Sequence, residues 1–393
     1  MVEIRFVGPD DRDALFELRA RAFGPLRGEL RERVLPMVER DLADQRVLGG
    51  YDGARLVASG RFLPMDQWWH GCAVPTGGVA SVYVAPDERG RGIGARLAAA
   101  LIELVGARGR PLSALYPATV PVYRRAGYEH GGAEYWTTFR AEALRGLGGG
   151  AAGDVKIRQV GPDDAAEVVA VLRAVHAAAG DSGPLDRGEP FVRWTLEHPD
   201  LFAYLADDGF VAYHWSDDLS ELIVERAVAG SAETARALWA LVGSGSSTAE
   251  FVRARVAPYD PVLWLLRDHT DARIHRSSWM LRVVDAQAAI AARGFPAAAS
   301  VQASLVVDDP LCPGNAGGWR LIVAGGRGRL ERDAAAAERP GVVRLTARGL
   351  AAVYAGVPPS TLGRAGLIDG GGGTDIAALA AAFAASPYML DDF

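Results

Sequence analysis

The sequence predicts an α/β chain in which one fold occurs twice in tandem and a smaller α+β domain follows. Three observations predict this. "IRFVGPDD" at 4–11 returns as "IRQVGPDD" at 157–164, 153 residues later. The segments that follow, "DRDALFELRARAF" and "DAAEVVAVLRAVH", both set apolar residues at helical spacing behind an aspartate able to cap a helix. A period of that size is a duplicated domain, not a solenoid repeat. Between the copies, "GLGGGAAG" at 146–153 has the composition of a flexible linker. After "ARGFPAAAS" the character changes, with "ASLVVDD" and "GGWRLIVAGGRGRLER" reading as strands joined by glycine-rich turns and 375–386 as a helix. The expected domains are 1–145, 154–294 and 295–393.

Composition excludes several function classes. The chain has 393 residues, 49% hydrophobic, which is ample for several cores. A net charge of −6 argues against nucleic-acid binding and is compatible with a cationic ligand. Cys72 and Cys312 lie far apart and outside any zinc spacing, and the seven histidines form no H-x-x-x-H pair, so no metal is expected. No run approaches 18 apolar residues and residues 1–30 lack an apolar signal core, so the expectation is a cytoplasmic protein without membrane partners.

The chemistry follows one strand of the first copy. In "GGVASVYVAPDERGRGIGARLAAALIELV" (77–105), residues 79–84 alternate as a strand with Val82 and Val84 on one face, and Pro86 ends it. Arg89, Gly90, Arg91, Gly92, Ile93 and Gly94 then lead into a long amphipathic helix. Such a loop aims backbone N–H groups and a helix dipole at one point, a cradle for pyrophosphate to which Arg89 and Arg91 add charge. The loop lacks the G-K-[ST] of a triphosphate site and does not fit G-x-G-x-x-G. It fits R-x-x-G-x-G, and so resembles the coenzyme A signature of the GCN5-related N-acetyltransferases (GNAT). A strand at 111–116, a short helix near 119–126 and "AGYE" continue the resemblance. It implies that acetyl-CoA lies in a V between two splayed strands, bonded to the backbone of Val82, Tyr83 and Val84. Tyr123 then sits where many such enzymes keep a general acid, and a phenol of ordinary pKa about 10 can protonate a leaving thiolate of pKa about 8.5.

Over its whole length the chain also resembles the Eis family, in "VPTGGVASVYVAPDERGRGIG", "VYRRAGYE", "WMLRVVDAQAAIAARGF", "DDPLCPGNAGGWRL" and "LAAVYAGVPPSTLGRAGLI". That resemblance implies two tandem GNAT folds, the second degenerate, and a C-terminal domain like sterol carrier proteins. The second copy agrees: after "ERAV" it has "AGSAET" where the glycine-arginine loop would stand. One acetyl-CoA site per chain is therefore expected, in residues 1–145, with the central domain as scaffold and substrate wall. The resemblance further implies that the carboxylate of Phe393 acts as general base, that Asp392 contacts substrate amines, and that the protein is a hexamer.

Two departures bear on the acceptor: Ala118-Thr119 replaces the family's Ser-Glu, and Gly24-Pro25 stands where some members carry an acid. Trp69 of "DQWWHG" and Ser81 are further candidate acceptor contacts, and Glu29, Glu32 and Glu39 could line an acidic pocket. The expected activity is acetyl transfer to a primary amine of a small molecule or peptide, such as an aminoglycoside, a polyamine or a lysine side chain. The rivals are a sterol-carrier-like binding protein with vestigial GNAT halves, and an acyltransferase using a longer acyl-CoA.

Overall fold

A computed structural model describes residues 2–266 and 274–393, and only the backbone of Glu29, Ala151 and Thr374. The first domain opens with β1 (Glu3–Phe6), α1 (Arg12–Phe23), α2 (Gly28–Ala43), β2 (Val47–Asp52), β3 (Arg55–Trp69) and β4 (Cys72–Val84). β3 and β4 form a long hairpin. Its turn needs left-handed backbone at both His70 (φ 48°) and Gly71 (φ 73°), the geometry that matches strand twist. α3 (Ile93–Ala107), β5 (Leu112–Leu115), α4 (Val120–Arg125), β6 (Glu129–Arg140) and α5 (Ala141–Arg145) follow. α3 covers the sheet with Leu97, Leu101, Ile102 and Val105, all buried.

The presumed linker is not simply loose. Leu147 is buried in the central core, and Gly150–Asp154 coil into a short turn with Ala152 buried. The second copy then repeats the order of elements. It comprises β7 (Arg158–Gln159), α6 (Ala165–Ala179), β8 (Leu185–Asp186), α7 (Gly188–Leu196), β9 (Phe202–Ala206), β10 (Gly209–Trp215), β11 (Glu221–Ala229), α8 (Ala232–Gly243), β12 (Phe251–Arg255), α9 (Val262–Leu265) and β13 (Ile274–Val283).

The two copies are not separate sheets. β13, the last strand of the second copy, lies antiparallel between β5 and β6 of the first, while β6 pairs on its other edge with β12. Each copy therefore completes its sheet with the other's last strand, and one continuous path runs β1-β2-β3-β4-β5-β13-β6-β12-β11-β10-β9-β7 among the described residues.

The third domain begins earlier than the expected boundary near Gly294. α10 (Ala286–Ala292) packs on it, Gln287 donating to the Leu330 carbonyl at 3.0 Å. β14 (Val301–Asp308), β15 (Gly317–Ala324), β16 (Arg327–Arg332), β17 (Val343–Thr346) and β18 (Ile368–Asp369) form a five-stranded sheet, covered by α11 (Ala347–Tyr354), α12 (Pro359–Arg364) and α13 (Gly373–Ala382). Phe295, Trp319, Tyr354 and Phe383 fill its interior, each under 5% exposed. Arg348 of this domain and Arg124 of the first both bind Glu129 at 2.5–2.8 Å, clamping the two together. No helix among the described residues is long and apolar enough to cross a membrane.

The chain's last strand, β19 (Tyr388–Met389), leaves the third domain and pairs parallel with β6. Tyr388 donates its N–H to the Ser182 carbonyl and passes so close to Gly183 (φ 107°) that a Cβ there would lie 2.1 Å from the Tyr388 carbonyl oxygen.

Candidate active site

The site begins with a failure of pairing. β4 and β5 run parallel only from Thr76↔Leu112 to Gly78↔Ala114. β5 ends one residue later, whereas β4 continues to Val84, leaving residues 79–84 without a strand on that side. A bulge re-aims this stretch: Ser81 is left-handed (φ 52°), and pairing with β3 shifts from Ala80↔Arg61 to Tyr83↔Ser59. A β-bulge bends its strand and turns backbone groups out of the ladder. The alternation of 79–84 is thus interrupted at Ser81, although Val82 and Val84 still share the face packed towards α3. Tyr83 takes the other face, buried, its ring edge-on to Phe23 at 5.4 Å.

Beyond β4, a short turn at Pro86–Glu88 leads into the glycine loop. Gly90 and Gly92 are both left-handed (φ 82° and 74°), and nothing lies within 4 Å of where their side chains would begin. Gly92 is the N-cap of α3 and offers no side chain to it, so the first amides of the helix, from Ile93 and Gly94 on, stay uncapped. The buried side chain of Ile93 anchors that turn. Open left-handed glycines before a bare helix start are what a pyrophosphate requires, so these residues fit coenzyme A. Arg89 and Arg91 are both exposed, but Arg91 already bonds Glu88 and lies 3.6 Å from Asp52, so its charge is partly neutralised.

The second copy shows the contrast. At the equivalent helix, α8, the Ser231 hydroxyl accepts from the Thr234 N–H, and the Thr234 hydroxyl donates to Asp208. The helix start is capped by its own serine and guarded by a carboxylate, which would repel phosphate.

Tyr123 sits on α4, 6% exposed, edge-on to Tyr128 at 5.9 Å. Tyr128 in turn is hydrogen-bonded to the Ser113 hydroxyl at 2.7 Å, beneath the last paired residues of the V. Burial pushes the Tyr123 phenol up to about 12, and among the described residues none accepts a hydrogen bond from its hydroxyl.

Across the tip of the V lies the end of the chain. Leu115 belongs to the same core as Tyr123, whereas the next residue, Tyr116, packs on Phe393, ring centroids 5.5 Å apart. Tyr116 also donates to the Asp391 carbonyl at 2.9 Å. The Asp391 side chain is bound by Arg226. Asp392 is exposed at 76%, 3.5 Å from Arg255, which also binds Glu134 at 2.6 Å and Glu225 at 3.0 Å. The final residues are therefore seated by Tyr116, Arg226 and Arg255, none of which the sequence marks by a motif.

Three expectations about the acceptor side change. Trp69 is fully buried, edge-on to Tyr354 at 5.0 Å and to Trp279 at 6.3 Å, in the core shared with the third domain. It is a packing residue and no wall of the site. Ser81 does face outward, into a cavity of about 60 Å³ with Ser59, Arg61 and Tyr83. The acidic pocket does not form on α2: Glu39 is drawn off to Arg12 at 2.9 Å and Glu32 is exposed, while Glu29 has no described side chain. Instead α2 turns Arg33 and Arg40 into a cleft of about 650 Å³ shared with Arg187 and Trp194 of the central domain.

Comparison with known proteins agrees with this architecture. Residues 3–131 and 183–283 match two families described as acetyltransferase (GNAT) domains, and residues 286–390 match the sterol carrier protein domain. An uncharacterised N-acetyltransferase of Streptomyces coelicolor is 30% identical over 326 residues, 76% of each chain. The N-acetyltransferase Eis of Mycobacterium tuberculosis is 28% identical over 363 residues, 84% of each chain. A GCN5-related N-acetyltransferase from Kribbella flavida superposes with a TM-score of 0.95 at 43% identity, over 100% of this chain and 98% of that one. With two GNAT folds, a sterol-carrier-like third domain and these relatives, the chain is an acyltransferase that belongs to the Eis family of GCN5-related N-acetyltransferases.

Proposed function

We propose that the protein transfers the acetyl group of acetyl-CoA to a primary amine, at a single site in the first domain. The observation that carries this reading is the uncapped start of α3 behind Gly90 and Gly92, set against the self-capped α8. Bound acetyl-CoA would supply an activated thioester. Residues 89–94 would hold its pyrophosphate, and the backbone of Val82, Tyr83 and Val84, which has no strand partner on the β5 side, its pantetheine arm. In this reading Tyr123 donates its proton to the departing thiolate as the C–S bond breaks and the C–N bond to the amine forms. A buried phenol held near 12 stays protonated at neutral pH and is ready to donate as charge builds on sulfur.

The Phe393 carboxylate would receive the proton that the amine releases. With an ordinary pKa of roughly 3.5 it is a weak base, and its larger part is to hold the ammonium as a counter-charge. The seat of Phe393 on Tyr116 at the tip of the V supports this role. The filled interior of the third domain speaks against a sterol-carrier activity there. By the family resemblance the protein assembles as a hexamer, which light scattering would check.

The test is thiol release from acetyl-CoA over a panel of primary amines. Turnover with at least one amine, lost in Tyr123→Phe while CoA still binds, is the expected result. Extending the chain by two residues beyond Phe393 should abolish turnover without unfolding the protein; a tagged protein of full activity would remove the carboxylate from the mechanism.

A further inference from the structure

We propose that the acceptor carries an anionic group, a carboxylate or a phosphate, and that Arg187 binds it in the cleft between α2 and α7. This rests on the acyl-transfer reading above and narrows its acceptor.

Arg187 is the N-cap residue of α7. Its guanidinium carbon lies over the Phe191 ring, 3.5 Å from the centroid, and the residue is only partly open to solvent. Among the described residues no carboxylate pairs with it. The acids nearest in sequence are already taken, Asp186 by Arg173 at 2.5 Å and Glu189 by Arg193 at 2.9 Å. Asp391 and Asp392, at the chain's end, favour its charge only at longer range, being bound to Arg226 and 3.5 Å from Arg255 respectively, and Arg61 and Arg226 oppose them. A guanidinium has five donors in a planar fork, and those of Arg187 have no protein acceptor among the described residues, so a partly desolvated cation is left open to a ligand. Burial accordingly lowers its proton affinity, to about 10.

The surroundings have the same sign. The cleft of about 650 Å³ is lined by Arg33, Arg40, Arg46, Arg187 and Arg193. Against these stand three acids, of which Asp41 is shared by Arg46 and Arg61 and Glu189 is bound by Arg193. Glu197 alone is left to oppose the remaining arginines. The cleft reaches Leu63 and Pro64 of β3, which pair with Gly78 and Gly77 of β4, the last residues at which β4 still pairs with β5 before the V opens. An acceptor entering here would place its anion on Arg187 and its amine towards the V. A polycation would meet arginines along the way, so the walls oppose the aminoglycoside or polyamine that net charge alone suggests.

The experiment compares 6-aminohexanoate, 5-aminopentyl phosphate, hexylamine and 1,6-diaminohexane by thiol release with acetyl-CoA, using the full chain, Arg187→Gln and Arg187→Lys. In parallel, calorimetry measures binding of N-acetyl-6-aminohexanoate and N-hexylacetamide, which needs no turnover. The inference expects kcat/KM for an anionic amine to exceed that for the diamine by about tenfold or more, the scale of a charge-assisted pair. That ratio collapses in Arg187→Gln and is partly kept in Arg187→Lys; the two anionic amines decide between carboxylate and phosphate. A diamine that outperforms both anionic amines in the unaltered protein overturns the inference, whether or not Arg187→Gln folds. So does a ratio unchanged in folded Arg187→Gln. If no amine releases thiol, the acyl-transfer reading fails and binding alone decides. The acetylated carboxylate must then bind, and bind about tenfold more weakly to Arg187→Gln; no binding, or no change, sinks the inference.

Discussion

Tyr123 and Trp69 are both aromatic and both buried, and their surroundings differ. The Tyr123 hydroxyl has no acceptor among the described residues, while Tyr128, Tyr116 and Tyr354 all have hydrogen-bond partners. Replacing Tyr123 with Phe is expected to cut kcat by about 10²–10⁴-fold, the usual value of a general acid, with CoA affinity changed little. Burial raises the Tyr123 pKa to about 12, so the acid form persists well past neutrality. A kcat–pH profile should therefore show no alkaline fall from this group up to about pH 10.5. Trp69→Ala, by contrast, should act on stability. A fully buried indole packed on Tyr354 and Trp279 predicts a loss of about 3–5 kcal/mol in denaturant unfolding, without the KM effect of a substrate wall. Position and motif point to Tyr123 in the sequence, and the structure places it on α4, buried and without a hydrogen-bond acceptor among the described residues. Trp69 is no acceptor contact because a strand's alternation tells which residues share a face, not that a third domain covers that face.

At the scale of elements, the bare start of α3 and the capped start of α8 make the same strand-to-helix turn serve two ends. Gly92→Val puts a branched side chain at φ 74° in the open cradle. CoA binding should weaken at least about tenfold by calorimetry, since left-handed backbone in a β-branched residue costs upwards of about 1–2 kcal/mol and the side chain occupies the phosphate's space. This part was legible from residue types alone, because glycine spacing and helix capping are local. The seat of the chain's last residues was not. It depends on Tyr116, Arg226 and Arg255, which are far from Phe393 in sequence and meet the chain's last residues only in the folded protein, through contacts such as Tyr116 to the Asp391 carbonyl.

Glu129 illustrates an element joint of the same hidden kind. Burial alone would raise its pKa, but hydrogen bonds from Arg124 and Arg348 outweigh that and lower it. A depressed folded pKa means that its stabilisation is present above the ordinary value of 4.5 and is lost as pH falls through the folded value. Glu129→Gln should therefore cost about 2 kcal/mol at pH 7, and the gap to the unaltered protein should close in acid unfolding series.

For the whole molecule, the exchange of last strands means that neither acetyltransferase fold stands alone. A fragment ending near Arg145 would keep β6 but lose β13 from between β5 and β6, exposing both edges beside the V. Such a fragment should fail to fold cooperatively, as near-ultraviolet circular dichroism would report. The repeat at 4–11 and 157–164 made the duplication visible, but strand order is a long-range property that no local pattern encodes. α7 of the second copy also lies against α2 of the first, Arg33 donating to the Trp194 carbonyl at 3.1 Å, so residues of both copies line one cleft. The central claim is that one of the two copies keeps the cofactor site. Calorimetric titration of CoA into the intact chain tests it most directly: the account predicts one site per chain, abolished or strongly weakened by Gly92→Val, whereas two sites per chain, or one site indifferent to Gly92→Val, would contradict it.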